Sequence, residues 1–496
     1  MCVIVYLKGK TIDMHRKKIV IIGGGPAGYI AAVRAAQSGA ETHLVEMSQL
    51  GGTCLNTGCV PTKTLLGIGE FYRKAKLAVV PGVKSLAELD WPSALAHKNA
   101  IVKRLADGVS WLLNKNGVHI HNGRAILLPG LRVQTGDKIL DSDAVILAVG
   151  STDSGLEFPG FDNEGVIDSA EALSLREPPD SILIVGGGVV GMEFATLYTC
   201  LGSQVTVVEM LPEILPDTDA EIARSLREKL QADGIRFYVG AKLSKVVKTE
   251  NALDAYIIIN GQQEKHSADK VLLAVGRKPN ISGLGLESLG VRTNHGAIAV
   301  DENFMTNIPG LYAVGDCNAV MMLAHAAMGQ GAAAVGHIFD GMQYYKHTHI
   351  PVCIYTSPEI ASVGMTEQQL IEKGIPYVVG RFDLSGNSKA VIAGESGFIK
   401  IITGNEFGEI LGVHMIGPGV TEIIAQAALC MNMEGTADDL ANTIHAHPTV
   451  SESMGEVAMA VTNVQAPGCD RPRGATGPGV RQAPECDRPR GATGPG

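Results

Sequence analysis

A segment of thirty residues occurs twice in this chain, 163 positions apart, and it restricts the fold more than any other feature. KIVIIGGGPAGYIAAVRAAQSGAETHLVEM (18–47) and SILIVGGGVVGMEFATLYTCLGSQVTVVEM (181–210) align without a gap. Each opens with a β-branched apolar run, turns through Gly-x-Gly-x-x-Gly, continues with helical character, and ends in a second apolar run closed by an acid. Gly23, Gly25, Gly28 and Glu46 match Gly186, Gly188, Gly191 and Glu209. Such glycines allow a tight turn and a close backbone approach to a pyrophosphate. The helix N-terminus then meets the phosphate charge, and the acid binds a ribose hydroxyl. A lone glycine fingerprint says little. Its placement between strand and helix, twice, predicts two βαβ units with one dinucleotide site each. DAVILAVGS (143–151) and DKVLLAVGR (269–277) extend the repeat, each following its own unit.

Four residues after the first unit comes GGTCLNTGCVPTK (51–63), in which Cys54 and Cys59 are separated by four residues. A dithiol beside a nucleotide cofactor suggests electrons passing between a disulfide and that cofactor. The cysteine count supports one reactive pair. Nine cysteines, an odd number scattered over 496 residues, are not a secreted disulfide framework and fit a reducing, cytoplasmic location. A net charge of −10 argues against a nucleic-acid partner, for which a basic footprint is expected.

The N-terminus shows no signal peptide. Its apolar run is short and no small-residue cleavage site follows. Residues 1–16 read as an extension, and Met14 is a candidate start. Residues 317–339 carry no Asp, Glu, Lys or Arg, but Gly, His325, Gln330 and His337 interrupt the run, so it reads as a buried helix rather than a membrane span.

Three domains are expected, with an α/β fold: two Rossmann-like dinucleotide-binding domains plus a C-terminal α+β domain. The boundaries are 17–150 for the first part of the first nucleotide domain, 151–276 for the second, 277–346 for a central return to the first, and 347–465 for the last. After the cysteines the chain reads mainly helical to Leu113, then as short strands over 118–150. From 347 alternating strands appear (PVCIYTSPEIASVGMT, GFIKIITG, GEILGVHMIG), followed by amphipathic helices. Residues 466–496 contain CDRPRGATGPG twice and no apolar periodicity, which predicts disorder.

HAHPTVSE (445–452) supports two readings. Pro448 fits the first turn of a helix, and Thr449-x-x-Glu452 fits a capping box. His447 and Glu452 also fit a proton-transfer pair in which the carboxylate orients the imidazole. Asp316, in IPGLYAVGDC (308–317), is equally a candidate helix cap.

Taken together these motifs resemble the FAD-dependent pyridine nucleotide–disulfide oxidoreductases, over roughly residues 17–465, and most closely their dihydrolipoamide dehydrogenase branch. The anchors are GGTCLNTGCVPTK, GGGVVGMEFA, AVGRKPN, IPGLYAVGDC, MLAH, YTSPEIASVGMTE, GVHMIGP and HAHPTVSE. The resemblance implies FAD in the first unit, held by Gly23, Gly25, Gly28, Glu46, Gly52, Thr53, Lys63, Gly150, Asp316, Ala324 and His325. It implies NAD in the second, held by Gly186, Gly188, Gly191, Glu209 and Gly276. Cys59 would lie against the flavin and Cys54 would exchange with substrate. Lys63 would pair with Glu193. His447, oriented by Glu452, would be the acid–base of the partner subunit's site, so the C-terminal domain would be a dimerisation domain and the working form a homodimer. No metal is implied. Lipoyl-bearing proteins of 2-oxoacid dehydrogenase or glycine cleavage complexes are the implied partners, and oxidation of dihydrolipoamide with NAD+ the implied reaction.

Glu209 suits the free 2′-hydroxyl of NAD and would repel the phosphate of NADP. No arginine pair follows it, which weighs against glutathione reductase. Departures from the pattern are Thr62 where Ser is common, Ala326 where Lys is common, and the tail. Mercuric reductase is the nearest rival, but its C-terminal cysteines are adjacent whereas Cys469 and Cys486 are 17 apart. A flavoprotein subunit that only docks on a complex is the rival of another class, and the intact Cys54, Cys59, His447 and Glu452 argue against it.

Overall fold

A computed structural model describes residues 16–77, 82, 84, 86–340 and 348–462, together with the backbone of 480–482. The N-terminal extension to residue 15 and nearly all of the repeated tail lie outside the described residues. The chain divides into two compact units.

Among the described residues, one unit draws on 16–56, 103–152 and 278–340. Its centre is a five-stranded parallel sheet. The strand Lys18–Ile22 pairs with Glu41–Glu46 on one side (Lys18↔Glu41) and with Ala144–Leu147 on the other (Ile19↔Ala144). Leu311–Ala313 and His119–Asn122 form the edges. The two central strands, Lys18–Ile22 and Ala144–Leu147, are apolar runs rich in Ile and Val and buried almost throughout, as expected for parallel strands covered on both faces. The helix Pro26–Gln37 forms the crossover and packs against the helix Ala324–Asp340. Ala27, Ala31, Ala32 and Ala35 are buried along it, and such small side chains let two helices approach closely.

Among the described residues, the other unit draws on those within 57–102, 153–277 and 348–462, with the backbone of 480–482. It contains the second nucleotide sheet, in which Ser181–Val185 pairs with Gln204–Glu209 and with Lys270–Leu273. The pairing Ser181↔Gln204 is Lys18↔Glu41 displaced by the 163-residue offset. Sequence repeat and strand register therefore coincide.

The same unit holds a sheet whose strands Val352–Ile354, Glu359–Gly364, Ile410–Gly417, Phe398–Gly404 and Tyr377–Asp383 are antiparallel neighbours in that order. Alternation describes it only in part. Phe398–Gly404 is buried at every position, because helices Val420–Asn432 and Glu452–Val461 pack with this sheet. One consequence is Lys400, whose side chain is 2% exposed and reaches Asp219, Glu221 and Glu367. Val480–Gln482, within the tail expected to be disordered, pairs in parallel with Tyr377–Asp383.

Among the described residues no helix is long and apolar enough to cross a membrane.

Candidate active site

Each nucleotide unit builds its glycine turn in the same way. A side chain at Gly28 would collide with the carbonyl of Gly23, and one at Gly191 with that of Gly186. The two positions therefore need glycine for the helix to leave its strand so tightly. Both helices start at a glycine, Gly25 or Gly188, with no side-chain cap and no acid in the first turn. Their N-terminal amides are left for an outside anion. A Cβ at Gly188 would meet nothing within 4 Å, so that helix end has open space before it.

The acids are held alike. Glu46 accepts from Gly24 N–H (2.6 Å) and Ser48 N–H (2.7 Å). Glu209 accepts from Gly187 N–H (2.5 Å) and Leu211 N–H (2.7 Å). In both units the loop amides hold the carboxylate at the strand end, next to the open helix terminus. In each unit a helix terminus without a side-chain cap and an acid held by loop amides are groups that could take up a phosphate and a ribose hydroxyl.

Near the first site, the Asp316 carboxylate accepts from Ser151 O–H at 2.6 Å. It caps no helix by its side chain, and the helix Ala324–Asp340, which carries Ala324 and His325, begins only after it. Gly150 has a φ of +69°, and a Cβ there would meet nothing within 4 Å; Gly276, in the other unit's own loop, has a φ of +103°, and a Cβ there would touch Ser154 Oγ at 3.9 Å. Gly52 lies against Gly25, and Thr53 follows it in the short helix Gly52–Asn56.

Cys54 lies in that short helix, and Cys59 is the first residue of Cys59–Lys76. The remaining described cysteines are poor nucleophiles. Burial pushes the Cys200 and Cys353 thiols up to about 11 and the Cys317 thiol up to about 12, and it also raises Cys430. A thiol whose pKa is raised by burial supplies little of the thiolate that attacks a disulfide. Among the described residues no group of three or more His, Cys, Asp and Glu is placed to hold a metal ion.

Lys63 and Glu193 meet across 130 positions of sequence. The Lys63 ammonium donates to both carboxylate oxygens, at 2.8 and 2.7 Å. Glu193 is 5% exposed and Lys63 30%. The helices Cys59–Lys76 and Val189–Leu201 that carry them pack together, with Gly69 against Leu197 and Cys200. A third residue, not singled out in the sequence, joins them. Tyr355 N–H donates to Glu193 Oε1 at 3.2 Å, and its ring centroid is 4.9 Å from Lys63 Nζ. A backbone donor leaves no trace in residue types, so only the fold could show it.

His447 Nδ1 lies 2.8 Å from Glu452 Oε2. The imidazole is 69% exposed while the carboxylate is 22% exposed, so the ring presents its other nitrogen outward. The helix here begins at Glu452, not at Pro448. Thr449 Oγ1 does accept from Glu452 N–H at 3.3 Å, but the Glu452 carboxylate faces His447 and not the backbone. Half of the capping box forms, and the acid is committed to the imidazole. Asn387 supports it from a loop 65 positions away. Its Nδ2 donates to Glu452 Oε1 (3.3 Å) and Thr449 O (2.9 Å), while its Oδ1 accepts from Lys389 and Ala390 N–H.

Comparison with known proteins identifies the architecture. Residues 17–331 match the family model described as pyridine nucleotide-disulphide oxidoreductase, and residues 350–458 match the dimerisation domain of the same family. The chain belongs to the pyridine nucleotide-disulphide oxidoreductases. Within that family it is 43% identical over 451 residues to a dihydrolipoyl dehydrogenase of Bacillus subtilis, a match spanning 89% of this chain and 98% of the relative. It is 39% identical over 454 residues to the mitochondrial dihydrolipoyl dehydrogenase 1 of Arabidopsis thaliana, spanning 89% and 90%. Among solved structures it resembles LpdA from Mycobacterium tuberculosis, with a TM-score of 0.83, 29% identity, and 91% and 100% of the two chains covered. It also resembles the HOCl-induced flavoprotein disulfide reductase RclA of Escherichia coli, with a TM-score of 0.81, 26% identity, and 90% and 100% covered. The match to the dimerisation domain follows the match to the oxidoreductase model along the chain.

Proposed function

We infer that this chain is a dihydrolipoyl dehydrogenase, using FAD and NAD to oxidise a dihydrolipoyl dithiol. Relatives of that activity match nearly the whole chain at up to 43% identity. The observation that carries the reading is the His447–Glu452 pair at 2.8 Å, an exposed base in a chain that also holds a candidate dithiol and two dinucleotide units.

One substrate thiolate attacks Sγ of Cys54. The Cys54–Cys59 bond breaks, a mixed disulfide forms at Cys54, and Cys59 leaves as a thiolate. The second substrate thiolate attacks the substrate sulfur of that mixed disulfide. It closes the lipoyl disulfide and releases Cys54. His447 Nε2 takes a thiol proton, because only the thiolate is nucleophilic. Glu452 at Nδ1 fixes the tautomer that leaves Nε2 free to accept, and Asn387 holds Glu452 in turn. FAD, when bound, supplies two-electron transfer between the enzyme dithiol and NAD+. Gly23, Gly25, Gly28, Glu46, Gly52, Thr53, Gly150, Asp316, Ala324 and His325 would hold FAD. Gly186, Gly188, Gly191, Glu209 and Gly276 would hold NAD. Lys63, held in place by Glu193, would supply a positioned ammonium for the flavin's chemistry.

The working form is a homodimer in which His447 serves the partner's dithiol. Its substrates are lipoyl groups borne on proteins of 2-oxoacid dehydrogenase or glycine cleavage complexes, met in the cytoplasm. The domain boundaries proposed are those read from the sequence.

The test is NAD+ reduction by free dihydrolipoamide. Turnover with NAD+ and not NADP+, lost in Cys54→Ser, is the expected result. A reducible flavin without that turnover would contradict the reading.

A further inference from the structure

Lys63 has more than one acid within its surroundings. A cavity of about 160 Å³ beside it is lined also by Glu70, Glu359 and Tyr355. The ammonium nevertheless bonds only Glu193 among these three carboxylates, at 2.8 and 2.7 Å.

The two other acids are engaged differently. Glu359 Oε2 already accepts from Thr421 O–H (2.7 Å) and N–H (3.3 Å). Glu70 is made harder to ionise by burial, and its neighbour Lys74 is paired with Glu395 at 2.9 Å. What remains is a residue that favours Glu193 directly. Tyr355 does so from both sides. Its main chain donates to the anion, and its ring stands 4.9 Å from the cation. Burial pushes the phenol up to about 12, so at neutral pH the ring acts through its π face. Thr356 O–H donates to Pro358 O at 2.7 Å, bracing the segment.

We propose that Tyr355 is a positioning residue that fixes Lys63 on Glu193 and keeps it from Glu70 and Glu359. The ring holds the ammonium against its π face, and the Tyr355 amide holds the carboxylate that receives it. The inference rests on the reading that Lys63 and Glu193 belong to the active site.

The experiment is pulse acetylation of the FAD-loaded full-length protein with acetic anhydride. Mass spectrometry reads the Lys63 peptide against that of exposed Lys103. Tyr355→Met keeps bulk without a ring, and Tyr355→Phe keeps the ring. Lys63 labelling is expected to rise roughly threefold to thirtyfold in Tyr355→Met, the range set by a partly desolvated cation–π contact, and to stay near wild type in Tyr355→Phe. In an otherwise unchanged chain, Glu359→Gln and Glu70→Gln are expected to leave Lys63 labelling unaltered. Wild-type labelling in Tyr355→Met, equal increases in Met and Phe, or an increase in either glutamine variant would each overturn the proposal. Kinetics add a second readout: Tyr355→Met should lower kcat while leaving KM for dihydrolipoamide in place. Because labelling needs no turnover, absence of NAD+ reduction would remove the functional reading without deciding the labelling result.

Discussion

Asn387 donates its amide to the Glu452 carboxylate at 3.3 Å, so the acid that orients His447 is itself oriented. The order of effects follows from this chain of contacts. His447→Gln removes the base and should lower kcat by roughly 10²- to 10⁴-fold. Glu452→Gln should cost less, since the imidazole remains but its tautomer is no longer fixed. Asn387→Ala should cost least in kcat, yet it leaves Lys389 and Ala390 N–H without their acceptor and should lower stability by about 1–3 kcal/mol. Steady-state kinetics and urea unfolding on the three variants check the ranking.

The Lys63–Glu193 pair should respond asymmetrically. Glu193 is almost fully buried while Lys63 is partly exposed. Lys63→Ala strands a carboxylate away from water and should cost about 3–5 kcal/mol. Glu193→Gln leaves an ammonium that water can reach and should cost less. Denaturant midpoints give the comparison, and equal losses would contradict the burial argument.

These contacts differ in how far the sequence revealed them. The two βαβ units were legible because glycine spacing and apolar runs are local, and the Ser181↔Gln204 register repeats that of Lys18↔Glu41. The meeting of Lys63 with Glu193 has no local signal across 130 positions and came only from family resemblance. Asn387 and Tyr355 were not legible, since one acts from a distant loop and the other through a backbone amide. Lys400 was hidden for a different reason. Period-2 alternation assumes one wet face, and Phe398–Gly404 has none.

Glu209 anchors the second glycine loop through Gly187 and Leu211. Glu209→Ala should raise KM for NAD+ roughly tenfold or more, as expected for lost bonds to a charged acceptor. Reduction of the enzyme by dihydrolipoamide, followed by stopped flow without NAD+, should be unaffected.

Acid should weaken the fold through histidines that folding keeps neutral. Burial lowers the pKa of His414, whose Nε2 lies 2.9 Å from Met365 O, and burial also lowers His43 and His121. A histidine with a depressed folded-state pKa binds its proton more readily when unfolded. Its contribution is therefore complete above the unfolded value near 6.5 and is lost as pH falls below it. Thermal midpoints should drop from about pH 6.5 downward, and His414→Gln should flatten that slope.

The dithiol relay is tested most directly by identifying which cysteines a dithiol substrate reduces. Oxidised enzyme is mixed anaerobically with one equivalent of dihydrolipoamide, quenched with an alkylating reagent, and mapped by mass spectrometry. Alkylation appearing at Cys54 and Cys59 together, matched by one equivalent of lipoamide and absent without substrate, is the expected result. Unchanged Cys54 and Cys59 with lipoamide still formed would contradict the account.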